Sequence, residues 1–139
     1  MTYDILIGID PGVNTGVAVW DGEKLTYCKS HNIVEAAQLV KEYADNYNIK
    51  VYFEDARQRH WFGSSGREKL MGAGSVRRDS QIWETICQVL NIPYQMVAPK
   101  DNTTKLSANM FKIYTGWKGT SNEHGRDAAM LVFKRWMKD

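Results

Sequence analysis

The hydrophobic pattern divides the chain into short apolar runs and longer amphipathic stretches. Ile5, Leu6, Ile7 and Ile9 form a run of β-formers, and Tyr3 to Asp10 predicts a strand. Thr15 to Trp20 and Lys24 to Lys29 predict two more, joined at Asp21-Gly22, a pair that favours a two-residue hairpin turn. Ile33, Ala36, Ala37, Val40, Tyr43, Ala44 and Tyr47 recur at helical spacing, so 33–47 predicts an amphipathic helix. Val51 to Glu54 predicts a short strand. From Asp55 to Ser75 the period fails, and Gly63-Ser64-Ser65-Gly66 and Gly72-Ala73-Gly74 flank basic residues. That stretch predicts a long loop, with a helical turn at most around Glu68 to Met71. Ile82, Trp83, Ile86, Val89 and Leu90 mark a helix from about Val76 to Leu90, and Pro93 to Val97 a further strand. Thr103 or Thr104 would cap a helix running to Tyr114. Ser121 or Asn122 would start the last helix, with Glu123 early and Lys134, Arg135 and Lys138 near its end, as the helix dipole favours.

The resulting order, βββαβαβαα, predicts an α/β fold: a five-stranded mixed sheet with helices on both faces. At 139 residues the chain is expected to form a single domain, 1–139. Strand 3–10 and strand 51–54 should lie side by side at the centre of the sheet, parallel, with a right-handed crossover through helix 33–47. Asp10 and Glu54 then stand at the carboxyl ends of adjacent parallel strands, where ligand sites of such sheets form.

Candidate chemistry follows from that placement. A carboxylate delivered to a strand end by an apolar run is costly to bury without a partner. Gly12 and Gly16 are expected to bend the chain after Asp10, and the plainer role for Asp10 is to cap the Pro11-Gly12 turn. Side chains alternate along a strand, so Asp10 shares a face with Leu6 and Gly8. Glu54 shares a face with Tyr52 and can meet Asp10, whereas Asp55 points away and suits a loop cap or an Arg partner. His124 and Asp127, three apart, share one helix face, and Ala128 and Ala129 let that helix approach the sheet. Three carboxylates and an imidazole make a hard donor set suited to Mg²⁺ or Mn²⁺. Such a set can hold two ions roughly 3.5–4 Å apart around a phosphodiester.

Charge strengthens this picture. The net +2 is unevenly spread: residues 57–78 carry six basic side chains against one acidic, and 100–139 carry eight against four. Basic segments beside an acidic centre suit a polyanionic ligand. Arg57, Arg59, Arg67, Lys69, Arg77, Arg78, Lys100 and Lys105 are candidate phosphate contacts, with Lys112 and Lys118 behind them. Two further features narrow the class. Cys28 and Cys87 are isolated, which excludes a disulfide framework or a CxxC zinc site and suits a reducing, cytoplasmic setting. No apolar run spans a bilayer, and Met1-Thr2-Tyr3-Asp4 does not open a signal peptide.

Gly8-Ile9-Asp10-Pro11-Gly12 with Thr15-Gly16, Glu54 ending a later strand, and His124-x-x-Asp127-Ala128 opening the final helix resemble, in this order, the RuvC family of Holliday-junction resolvases in the ribonuclease H-like superfamily. The chain is shorter than typical bacterial members and is similar to the small phage-type versions. The resemblance implies a ribonuclease H-like fold and metal-dependent nicking of four-way or other branched DNA to 5′-phosphate and 3′-hydroxyl ends. It implies a homodimer acting symmetrically in a bacterial or phage-infected cell. Asp10, Glu54 and Asp127 match metal-binding carboxylates, and His124 a position held by carboxylate or histidine. Mg²⁺ is the implied cofactor, two ions per site, with Mn²⁺ as substitute. Helix 76–90, with Trp83 and Ile86, is the implied dimer face. The segment after Glu54 departs from the family pattern; Trp61 or Phe62 is expected to stack on an unpaired base there. Alternatives are a ribonuclease H-like enzyme acting on RNA or hybrid, a non-catalytic junction binder, and an actin-like ATPase, for which 139 residues are too few.

Overall fold

The computed structural model describes residues 3–55, 66–99 and 105–137, with the backbone alone for 66–76 and 137. Five strands, β1 (Ile5–Asp10), β2 (Thr15–Asp21), β3 (Lys24–His31), β4 (Ile49–Glu54) and β5 (Tyr94–Val97), make one sheet in the order β3-β2-β1-β4-β5. β1, β2 and β3 are antiparallel neighbours, β4 runs parallel to β1, and β5 parallel to β4. The helices are α1 (Ile33–Asn46), α2 (Gly66–Val89), α3 (Ala108–Thr115) and α4 (Glu123–Val132), followed by a 3-10 turn at Arg135–Met137.

Strand alternation divides the core in two. Ile5, Ile7, Ile9, Val17, Val19, Val51 and Phe53 point to one face, where Ala36 and Val40 of α1 and Trp83 and Cys87 of α2 cover them. Leu6, Ala18, Trp20, Cys28 and Tyr52 point to the other, against Phe111 of α3 and the Ala128–Val132 run of α4. The mixed sheet, the central parallel pair and the helices on both faces follow the pattern that the sequence predicts.

Four local expectations are corrected. The helix expected from Val76 begins at Gly66, inside the stretch read as a loop. Once Trp83 and Cys87 anchor its second half, extending a helix costs little per residue. Glu68 to Met71 and Ala73 are good formers, so two glycines at about 1 kcal/mol each do not stop it. α3 starts at Ala108, where the Ser107 hydroxyl accepts from the Met110 N–H at 3.2 Å. The expected caps Thr103 and Thr104 lie outside the described residues. α4 ends at Val132, so Lys134 and Arg135 fall beyond it, yet the Arg135 Nε donates to the Leu131 carbonyl at 2.6 Å and so complements the helix end; Lys138 lies outside the described residues. Trp83, implied for a dimer face, is fully buried within this chain, because it belongs to the core cluster on the α1 side of the sheet.

Candidate active site

The site is built where α4 meets the ends of β1 and β2. Asp10 pairs with Gly16, and Gly16 with Ser30, in one row across three strands. Gly16 therefore lies inside β2 and does not bend the chain, contrary to expectation. It is needed for close approach: a Cβ there would stand 2.0 Å from the His124 carbonyl oxygen. A Cβ on Gly8 would stand 1.9 Å from the Ala128 carbonyl oxygen. The two glycines let the backbone of α4 lie directly on the sheet, as glycine in a strand interior often does. The Trp20 indole N–H donates to the Ala129 carbonyl at 3.1 Å and fixes the helix lengthwise. Asn122 caps the first turn by accepting from the Gly125 N–H at 2.8 Å, and its amide donates to the Ser30 hydroxyl at 2.7 Å.

This seating brings His124 to Asp10, with Nδ1 and Oδ2 3.1 Å apart. Glu54 arrives from the neighbouring parallel strand. Its side chain shares the face of Tyr52, as strand parity requires, and Glu54 is buried. The Ser80 hydroxyl of α2 donates to the Glu54 carbonyl at 2.8 Å and holds the end of β4. Asp55 is also buried, and its N–H donates to Val97 at 2.7 Å, which continues the β4–β5 ladder on the opposite parity. Asp127 stands one turn along α4 from His124, its Oδ1 accepting from the Lys105 N–H at 2.9 Å. His124 and Asp10 are thus in direct contact, and Glu54 and Asp127 stand near enough for their charges to act on the Asp10 carboxyl.

Electrostatics mark Asp10 as the centre of the group. Burial pushes its carboxyl up to about 6; the charges of Asp127 and Glu54 add to this, while the His124 contact opposes it. Asp127 is also raised, mainly by burial and against the Lys105 hydrogen bond. A carboxyl raised by burial and by two neighbouring acids suits a hard divalent cation. Among the described residues no group of three His, Cys, Asp or Glu already stands in a metal-holding cluster.

A stability consequence follows for the metal-free protein. Between pH 4 and 6 folded Asp10 keeps a proton that the unfolded chain has lost, so stability falls as pH rises through that window. Above pH 6 both states are ionised and the folded state bears the full cost, about 3 kcal/mol at most. Asp10→Asn should therefore stabilise the chelator-treated protein by about 1–3 kcal/mol at pH 8 and leave it unchanged near pH 4. Urea unfolding at the two pH values measures this. Equal stability at pH 8 would contradict the strain assigned to Asp10.

The expected phosphate contacts are only partly placed. Arg77 and Arg78 are exposed on α2, with Arg78 Nε 3.7 Å from Asp79, and Lys105 is exposed beside Asp127. Arg67 and Lys69 lie in the first turns of α2, their side chains outside the described residues. Arg57, Arg59, Trp61, Phe62 and Lys100 lie outside the described residues altogether. Three supports went unnoticed in the sequence: Gly8 as a contact point, the Ser80 hydroxyl and the Lys105 N–H. Gly8 could have been found, since a glycine two residues before Asp10 on its face marks close backbone approach. The other two act on or through the backbone and carry no residue-type signal.

The fold is an α/β domain built on a five-stranded mixed sheet, with acidic side chains at the ends of its central parallel strands. No family model matches the chain, and no curated protein matches it in sequence. Among solved structures, RuvC of T. thermophilus in complex with a Holliday junction substrate matches in fold. The TM-score is 0.61 at 17% identity, over 96% of this chain and 94% of that one.

Proposed function

We propose that the protein is a divalent-ion-dependent endonuclease that nicks four-way or other branched DNA, leaving 5′-phosphate and 3′-hydroxyl ends. The observation that supports this best is the His124–Asp10 contact, with Glu54 and Asp127 near enough to act on the Asp10 charge, on a fold shared with a protein solved on a Holliday junction. Asp10, Glu54 and Asp127 would hold Mg²⁺ or Mn²⁺, two ions per site, as hard oxygen donors. Bound there, the ions would polarise the phosphodiester, activate water and neutralise the leaving oxygen.

The chain's own residues do the remaining work. The Asp10–His124 contact orients both side chains, and His124, half-exposed, can ligate or exchange a proton with the attacking water. Ser80 and Lys105 hold Glu54 and Asp127 in place before the substrate arrives. Arg77, Arg78 and Lys105 would take phosphates, with the basic residues of 57–69 and Lys100, and Trp61 or Phe62 would stack on an open base. A second copy, in a homodimer, would match the two-fold symmetry of a four-way junction. No helix among the described residues is long and apolar enough to cross a membrane.

Cleavage of four-way, three-way, flap, duplex and RNA–DNA hybrid substrates in Mg²⁺, Mn²⁺ or chelator tests the reading, with sedimentation of the same preparation giving the copy number. We expect ion-dependent nicking of branched DNA in preference to duplex, with binding that weakens steeply as salt rises. Preference for the hybrid would point to an RNA-processing enzyme. Tight junction binding without cleavage in either ion would point to a non-catalytic binder.

A further inference from the structure

Asp127 is aimed by a backbone donor, and the residue beside it holds that donor. Lys105, whose N–H meets Asp127 Oδ1, has a φ of 59°, a left-handed conformation that a residue with a side chain rarely adopts. Such a conformation persists where its surroundings over-determine it. Here the restraint comes from α4. Arg126 Nε donates to the Leu106 carbonyl at 2.8 Å, while Nη1 donates to the Ser121 carbonyl at 2.9 Å and to its hydroxyl at 3.2 Å. One planar guanidinium thus ties together two stretches of chain, one after Lys105 and one before the α4 cap. A lysine ammonium lacks the fork geometry that makes both contacts at once.

We propose that Arg126 is a positioning residue for Asp127, acting through the 105–106 segment that it fastens to α4. This rests on the metal-centre reading of the preceding section. Without the fork, Lys105 relaxes toward extended backbone, its N–H turns from Asp127, and the carboxylate loses its preset direction. Partners of this kind typically hold a tenfold to hundredfold share of metal affinity, roughly 10–100-fold.

The test compares wild type, Arg126→Gln and Arg126→Lys by two readouts that need no DNA: amide hydrogen exchange at Lys105, and Mn²⁺ affinity by calorimetry. Circular dichroism melting confirms the fold, and Arg126→Lys serves if Arg126→Gln does not fold. We expect both variants to speed exchange at Lys105 and to weaken Mn²⁺ binding by about 10–100-fold. Unchanged exchange in Arg126→Gln overturns the proposal. Faster exchange with wild-type Mn²⁺ affinity also overturns it, since Arg126 would then be a structural tether only. An Arg126→Lys protein matching wild type in both readouts assigns the effect to charge and overturns the geometric argument. A wild-type protein that binds no Mn²⁺ refutes the metal centre and overturns this proposal with it, whatever the Lys105 exchange shows.

Discussion

Replacing Asp10 with Asn is expected to lower ion-dependent nicking of branched DNA by about 10²–10³-fold while leaving junction binding intact or slightly tighter. The size follows from removing one charged group aimed at the reacting centre, which typically costs that much in turnover. Retained binding follows because the substitution removes a negative charge and no phosphate contact. The same change should stabilise the metal-free fold at pH 8, where burial and two neighbouring acids leave Asp10 strained. Activity lost and stability gained together distinguish a functional carboxylate from a structural one, since removing a structural group lowers both. Single-turnover cleavage at saturating protein, paired with filter binding, separates the two effects. Wild-type-like cutting by Asp10→Asn would remove Asp10 from the chemistry.

The second large effect is expected from a single methyl group. Gly16→Ala places a Cβ 2.0 Å from the His124 carbonyl oxygen and 3.1 Å from Asp10 Cβ. The carbonyl belongs to the first turn of α4 and the alanine to a paired strand, so neither side can give locally. The helix must lift by about 1 Å or more, and displacement of that size can cost about 10²-fold in rate. Overpacking of this kind costs about 1–3 kcal/mol in stability. Gly8→Ala pushes on the Ala128 carbonyl one turn further along, with a gap of 1.9 Å. It should destabilise at least as much, because Ala128 lies in the buried core. Denaturant midpoints and cleavage rates for both variants check this. A Gly16→Ala protein with full stability and activity would show that the contact is not needed.

Much of this arrangement was legible in the sequence because it depends on parity and period. Glu54 was preferred over Asp55 on strand alternation alone, and the structure puts Tyr52 and Phe53 in opposite halves of the core, as that alternation requires. The helical spacing of His124 and Asp127 puts both on one face, and Asp21-Gly22 signals the hairpin, although its two-residue turn is Gly22-Glu23, one position on, because Asp21 pairs with Lys24. The unread parts depend on cooperativity and on backbone groups. The start of α2 is decided by anchoring at Trp83 and Cys87, several turns away and beyond any local window. The donors that aim Asp127 and clip Glu54 contact the main chain or belong to it. Glycine carries two meanings, turn and close contact, and at Gly16 only the packing of α4 tells them apart.

The contact between His124 and Asp10 joins positions 114 residues apart. A ribosome delivers β1 well before α4, so the early strands can pair long before the corner exists. A nascent or clipped chain lacking α4 would show Leu6, Ala18, Trp20 and Tyr52 to water and hold neither His124 nor Asp127. Whatever chemistry this corner performs is therefore withheld until synthesis has passed Asp127, and proteolysis ahead of α4 would switch it off in one cut.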